Sequence, residues 1–412
     1  MLPMDYQVYT LPNGIRLLHK PASSQISHAC IIVNTGSRDE DPDKSGIAHF
    51  IEHLLFKKTA KRSTNQILNC LEVVGADLNA YTTKEYTCIH ASFLNPYLSK
   101  ALDLFEDILF HSVFPEDEIE KEKGIVLDEI ASYQDQPEDA INDDFEDLLF
   151  KGHPLGRNIL GTTDSVKAFG RADILDFIKA KHNTHEIVIG VFGNYIPKKL
   201  SSLFSKYFQN IPENNTSHIR KPFDSYSPEY TSLKKAISQT HCIIGNQAYD
   251  LHHKHKTGLL LLNNLLGGPG MSSRLNLELR EKYGIAYTIE SNYTPLSDTG
   301  IFSIYFGTDP EKTNQALKII QRELKKLQQV SLGAVQISQT KQKFIGQIAL
   351  GEENHMGLII SMAKSLLDYD KVDTLEEVYA RINAVTSNQI LEIANETFDP
   401  AKLTTLIFDA KE

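Results

Sequence analysis

Residues 28–55, "HACIIVNTGSRDEDPDKSGIAHFIEHLL", and residues 240–266, "THCIIGNQAYDLHHKHKTGLLLLNNLL", follow one plan at a constant offset. Cys30 aligns with Cys242 and Gly46 with Gly258, both 212 residues apart and without a gap. Each stretch begins as an apolar run of strand length, crosses a polar loop and enters helical periodicity. The likeness continues in "TCIHASFLNPYLSKALDLFEDIL" from Thr87 and "GIFSIYFGTDPEKTNQALKIIQREL" from Gly300. In both, a strand pattern ends at an Asx-Pro turn that opens a helix. Such a register points to an internal duplication. The fold class that follows is α+β: two duplicated α/β sandwich domains, each a mainly antiparallel sheet covered by helices. The polar, turn-prone stretch "NIPENNTSHIRKPFDSYSPEY" (210–230) separates the copies. The expected domains are residues 1–212 and 231–412, with 213–230 as the linker.

The composition fits this plan. At 412 residues the chain is too long for one ordinary core, and 41% hydrophobic with 23% charged residues is globular usage. A formal charge of −11 argues against nucleic acid or an anionic membrane surface as partner, since both need a basic face. No apolar run approaches the roughly 18 residues of a membrane span. The four cysteines, Cys30, Cys70, Cys88 and Cys242, form no CxxC pair and read as reduced, buried thiols. The start, "MLPMDYQVYTLPNGIRLLHKP", lacks the charged and apolar regions of a signal peptide and reads as a hairpin turning at Asn13-Gly14. The expectation is a cytoplasmic protein, unless a presequence has been removed.

The two copies differ in chemistry. At the same offset His49 stands opposite Leu261, Glu52 opposite Asn264 and His53 opposite Leu265. The second copy has the leucines that a core helix wants; the first has two imidazoles and a carboxylate. Residues i, i+3 and i+4 share a helix face, so His49 and His53 can offer two nitrogens to one metal ion with Glu52 beside them. Neutral imidazoles suit Zn²⁺, and catalytic zinc sites commonly take three protein ligands. The order is HxxEH, the reverse of HExxH, and both orders put a carboxylate close to the water that the metal activates. A third ligand is needed. The acidic helical stretch from Glu116 offers Glu122 and Glu129, seven apart and so on one face, with apolar Ile125 and Val126 between them. Spacing alone does not choose Glu129 over Glu122, Asp128 or Glu138.

"GIAHFIEHLLFKKT" (46–59) resembles the zinc-site helix of the pitrilysin/insulinase family of inverzincin peptidases, best its half-length branch typified by mitochondrial processing peptidase. In that family a glutamate 76 positions after the second histidine completes the site, and that position here is Glu129. The resemblance implies His49, His53 and Glu129 as Zn²⁺ ligands, Glu52 as general base, and Glu122 as the carboxylate that orients a ligand histidine. "GADLNAYTTKEYT" (75–87) is similar to the family's strand beside the metal, which implies that Asn79 and Ala80 lie on an edge able to pair with an extended substrate. "HPLGRNILGT" (153–162) resembles a recurrent segment of the first domain; its His153 reads as a loop histidine rather than a fourth ligand. "GMSSRLNLELREKYGIAYTIES" (270–291) resembles the family's other signature. Taken alone, Arg280 is a surface ion-pair partner and Tyr287 a packed strand aromatic; the resemblance makes them a pair that contacts substrate and stabilises an oxyanion. "GGPGMSS" lacks the lysine of a phosphate loop. "HHKHK" (252–256) reads as a solvated loop whose lysines disfavour a cation.

The activity implied is zinc-dependent endopeptidase cleavage of short or unfolded peptides inside a chamber formed by a dimer. Because both residue sets occur in one chain, a homodimer is expected, with a heterodimer with a related subunit as the variant. The alternative is a non-catalytic structural or peptide-binding subunit of a processing-peptidase-like assembly.

Overall fold

The computed structural model describes residues 6–217 and 219–410. The first five residues, on which the reading of the N-terminus partly rests, and residue 218 of the linker stretch lie outside the described residues. The first half of the chain opens with β1 (Gln7–Thr10), β2 (Arg16–Pro21), β3 (Ile26–Val33), α1 (Ile47–Leu55) and α2 (Thr64–Glu72). β4 (Asp77–Thr82), β5 (Thr87–Leu94), α3 (Leu98–Phe110), α4 (Glu116–Gln134) and α5 (Pro137–Leu149) follow. α6 (Thr163–Ala168), α7 (Arg171–Lys181), β6 (Ile187–Gly193) and α8 (Pro197–Phe208) complete this half. The second half runs through β7 (Tyr230–Lys235), β8 (Thr240–Ala248), α9 (Lys256–Gly267), a π-helical segment (Asn276–Lys282), β9 (Ala286–Pro295) and β10 (Gly300–Thr308). It ends with α10 (Thr313–Gln329), α11 (Ala334–Gly351), α12 (His355–Tyr369), α13 (Leu375–Ala384), α14 (Ser387–Thr397) and β11 (Thr404–Ala410).

The sheets have one topology. Their strand orders are β1-β2-β6-β3-β5-β4 and β7-β11-β8-β10-β9, so the first is the second with one extra edge strand. The β2–β6 and β7–β11 pairs are parallel and the other neighbours antiparallel. The α+β duplication expected from the sequence is present in both. One register differs from the gap-free alignment. Ala29, Ile31 and Val33 of β3 face the cluster with α1 and α3, while Cys30 and Ile32 face the opposite side. In β8 it is Cys242 and Ile244 that face α9. Cys30 and Cys242 therefore point to opposite faces, because a shift of one residue inverts a strand. The helices keep the offset: Ile47, Phe50 and Leu54 are buried as Leu259, Leu262 and Leu266 are.

The chain forms two compact units, each drawing on both halves of the sequence. One comprises the described residues of Met1–Ala131 with Arg157–Arg220 and Leu350–Thr374; the other comprises Ser132–Gly156, Lys221–Ala349 and those of Leu375–Glu412. In the first, α12 covers the outer sheet face through Ile359, Met362, Ala363 and Leu366, on Cys30, Ile32, Cys88 and Val188. In the second, α5 does the same through Ala140, Ile141, Phe145 and Leu149, on Ile243, Tyr305, Leu406 and Phe408. A glycine admits each helix. A Cβ on Gly190 would lie 2.9 Å from the Ile359 side chain, and one on Gly245 would lie 2.7 Å from the Phe145 ring. With helices on both faces, the central strands are apolar throughout, as β6 (IVIGVFG, buried at every position) shows.

Candidate metal centre

The site starts with a well-fixed helix. α1 buries Ile47, Ala48, Phe50, Ile51, Leu54 and Leu55, which leaves Glu52 and His53 lining a cleft with His49 buried beside them. Gly46 precedes it with φ +92, and a Cβ there would meet the Leu160 carbonyl oxygen at 2.6 Å, so the tight entry requires glycine. The orphan N–H groups at this end are answered by Glu40, whose carboxylate accepts from Gly46 N at 2.8 Å and Ala48 N at 2.9 Å. Burial pushes the Glu40 carboxyl up to about 8, against the pull of those N–H groups and of Arg157 and Lys84.

Three side chains converge. His49 Nε2 and His53 Nε2 lie 3.2 Å apart, and Glu129 Oε2 of α4 lies 3.7 Å and 3.5 Å from them. Zinc bonds of about 2.0–2.1 Å in tetrahedral geometry separate neighbouring donors by about 3.3 Å. The triangle fits such an ion, and among the described residues these three form a group able to hold one. The protonation of His49 suits it too. Burial, then the neighbouring His53, lowers His49 to about 3, so its imidazole is neutral. Burial also works against protonated His53, but the Glu122 hydrogen bond and the charges of Glu129, Glu122 and Glu52 outweigh it and raise the pKa. Glu122 Oε1 sits 2.9 Å from His53 Nδ1, which places the proton on Nδ1 and leaves Nε2 as a donor atom for a metal. Lys57 Nζ lies 2.6 Å from the other oxygen, Oε2 of Glu122. Although burial opposes ionisation of Glu122, His53 and Lys57 bring it below the usual carboxylate range.

Glu52 stands beside this triangle. Burial raises its pKa, and Thr82 of β4 counteracts this by donating its hydroxyl to Oε2 at 2.6 Å. An open cleft of about 700 Å³ runs from Glu52, His53 and Glu122 to Leu78 and Asn79 on β4. Among the described residues β4 pairs only with β5, so it is an edge strand, with Asn79 exposed and Ala80 half-buried.

Of the acids left open by spacing, Glu129 joins the histidines. Glu138 lies on α5 in the other unit and acts on His241 and Tyr305 instead. Val126 is buried as a helix facing inward requires, whereas Ile125 is half exposed. Thr82, Lys57 and Glu40 were not singled out by the sequence. Lys57 stands four residues after His53, just past the end of α1, and Glu40 six and eight residues before the N–H groups it accepts from, so both lay close to the motif; Thr82 had no signal, because Glu52 is thirty residues away in sequence.

In the second unit, Arg280 lies in the π-helical segment and its guanidinium carbon sits 5.2 Å from the centre of the Tyr287 ring on β9. Tyr287 is 80% exposed, so the packed aromatic expected from the strand alone is not what forms. Arg280 approaches a carboxylate only loosely, Glu281 at 3.8 Å. Both line an open cleft with Gly267–Met271 and Thr288–Asn292. His153 is buried and bonded to the Lys221 carbonyl at 2.8 Å, a loop anchor in the same unit. "HHKHK" is not a solvated loop throughout: His253 stacks on Tyr249 at 4.0 Å and His255 is buried. His255 lies near Glu392 and Glu396, but both acids are exposed and Glu396 already accepts from the Tyr249 hydroxyl.

Comparison with known proteins gives the class. The model of the insulinase family, peptidase family M16, matches residues 16–163, and that of the peptidase M16 inactive domain matches residues 168–344. The chain is 31% identical over 392 residues to "Uncharacterized zinc protease YmxG" of Bacillus subtilis, covering 95% of both. It is 32% identical over 396 residues to "Uncharacterized zinc protease Rv2782c" of Mycobacterium tuberculosis, covering 93% of this chain and 89% of the relative. The chain therefore belongs to peptidase family M16, the family that its HFIEH helix resembles. Among solved structures, a protease from Helicobacter pylori superposes with a TM-score of 0.91 at 23% identity, over 98% of this chain and 99% of that one. A peptidase M16 inactive domain protein from Pseudomonas fluorescens gives 0.90 at 20% identity, over 99% and 98%. At these identities the structural likeness bears on the fold. No helix among the described residues is long and apolar enough to cross a membrane.

Proposed function

We propose that the chain is a zinc-dependent endopeptidase acting on short or unfolded peptides. The observation that carries this reading is the donor triangle of His49, His53 and Glu129, beside a carboxylate on the same helix. A zinc ion held there would supply the positive charge that acidifies water and polarises a scissile carbonyl. Glu52 is the general base: its burial raises its proton affinity, and Thr82 holds one oxygen while the other takes the proton from the attacking water. The same carboxyl then passes that proton to the leaving amine nitrogen. Glu122, braced by Lys57, fixes the tautomer and ring plane of His53.

In this reading the substrate lies extended along β4 at Asn79 and Ala80, and Arg280 with Tyr287 supplies cationic and hydroxyl donors to the oxyanion. The pair acts across a homodimer, from one subunit to the metal of the other, and the dimer encloses the cleavage chamber. Free cysteines in both units suit a reducing compartment such as the cytoplasm.

The deciding experiment is cleavage of a pool of internally quenched peptides by zinc-loaded protein and by Glu52→Gln. Cleavage should fall by about 10²–10⁴-fold in the variant with bound zinc unchanged. A wild-type protein that holds zinc and cleaves nothing overturns the peptidase reading. For the dimer, mixing Glu52→Gln with Arg280→Ala protein should restore cleavage that neither shows alone; a fully active monomer excludes the arrangement.

A further inference from the structure

We infer that Thr82 is a positioning residue that ties the general base to the strand on which the substrate pairs, so that one strand sets both the peptide register and the direction of Glu52. The inference rests on the peptidase reading. A glutamate on a helix has free torsions, and its carboxylate must be aimed before it can serve as a base at a fixed point. The hydrogen bonds to the Glu52 side chain come from Thr82, thirty residues on: from its hydroxyl Oγ1 at 2.6 Å and from its backbone N–H.

The position of Thr82 gives that bond its meaning. It is the last residue of β4, opposite Thr87 in the β5 register, at the end of the sheet edge. Thr87 does not compete for the base, since its hydroxyl donates to the Thr35 carbonyl at 2.9 Å. Two residues before Thr82, the Ala80 N–H donates to the side-chain oxygen of Asn79 at 2.8 Å. Strand N–H groups alternate in direction, so Ala80 and Thr82 turn theirs to the same side of β4, where the Thr82 N–H is taken by Glu52. A peptide added to this edge takes the Ala80 N–H from Asn79, whose exposed side chain is free to swing out. The backbone row it pairs with then ends at the residue holding the base. A scissile bond placed by pairing at Ala80 comes into register with Glu52 because both are referred to one strand.

The test is Thr82→Val, which keeps the shape and strand preference and removes the hydroxyl, with Thr82→Ser as the conservative variant. Thr82→Val should lower kcat roughly 10- to 100-fold and leave KM within about twofold, as expected for a misaimed catalytic group. Zinc bound per chain and the melting temperature of the metal-free protein should match the wild type. Thr82→Ser should recover most of kcat. Adding Thr82→Val to Glu52→Gln should cost nothing further, since the group being aimed has already been replaced. Wild-type kcat in Thr82→Val, a Ser variant no better than Val, or lost zinc binding overturns the inference. Absence of cleavage by the wild type overturns the peptidase reading instead.

Discussion

α1 and α9 hold the same place against two sheets of the same topology, yet they do different things. α9 buries Leu261 completely, and the side-chain amide of Asn264 donates to Gln347 at 2.6 Å. At the equivalent points α1 has His49, buried with no hydrogen-bond partner for Nδ1, and Glu52, tied to an edge strand. Leu261 of α9 is what packing alone selects. α1 keeps an imidazole and a carboxyl group where they cost folding free energy, and such a cost is retained where the groups have other work. Each unit also opens a cleft along an edge strand, lined in the first by imidazole and carboxylate and in the second by Arg280 and Tyr287. One scaffold thus presents two chemistries of opposite charge.

The comparison can be broken most severely by separating the copies. Residues 1–212 expressed alone lack α12, which leaves Cys30, Ile32, Cys88 and Val188 uncovered. No cooperative unfolding transition is expected for this fragment by calorimetry; one resembling the full chain would show that the exchanged helix is dispensable. Making the first copy like the second at one point, His49→Leu should abolish stoichiometric zinc binding. It should also stabilise the metal-free protein by about 1 kcal/mol, because a buried nitrogen without a partner is removed. Denaturant titration of the metal-free form checks the sign, and a loss of stability would mean that His49 has a packing role beyond its donor atom.

Ile359→Ala tests the packing of the exchanged helix. Ile359 is fully buried against Gly190, and its truncation should cost about 2–4 kcal/mol by chemical denaturation. Glu122→Gln is a smaller change. It should weaken zinc affinity by about 10- to 100-fold in a chelator competition, through the lost orientation of His53. The smallest effect belongs to Tyr287→Ala, whose stability should stay within about 0.5 kcal/mol of wild type, since the ring is exposed, with Arg280 over its face. A larger loss would return Tyr287 to the packed aromatic that its strand pattern suggests.

Much of this was legible in the chain. The duplicated strand–loop–helix pattern, the period-2 and period-3.6 stretches, and two histidines one turn apart on one face are set by neighbours no more than four residues away, and local geometry fixes their relation. The sequence also held, by its contrast of His49 with Leu261, the mark of a polar group placed for a purpose. What it could not decide were meetings of residues far apart in the chain: Glu129 rather than Asp128 or Glu138 beside the histidines, Lys57 on Glu122, and Thr82 on Glu52. It could not reveal that α5 and α12 each cover the sheet of the other half, nor that β3 and β8 are offset by one residue. Those features depend on which faces remain to be covered once the sheets have formed, and only packing in three dimensions determines that.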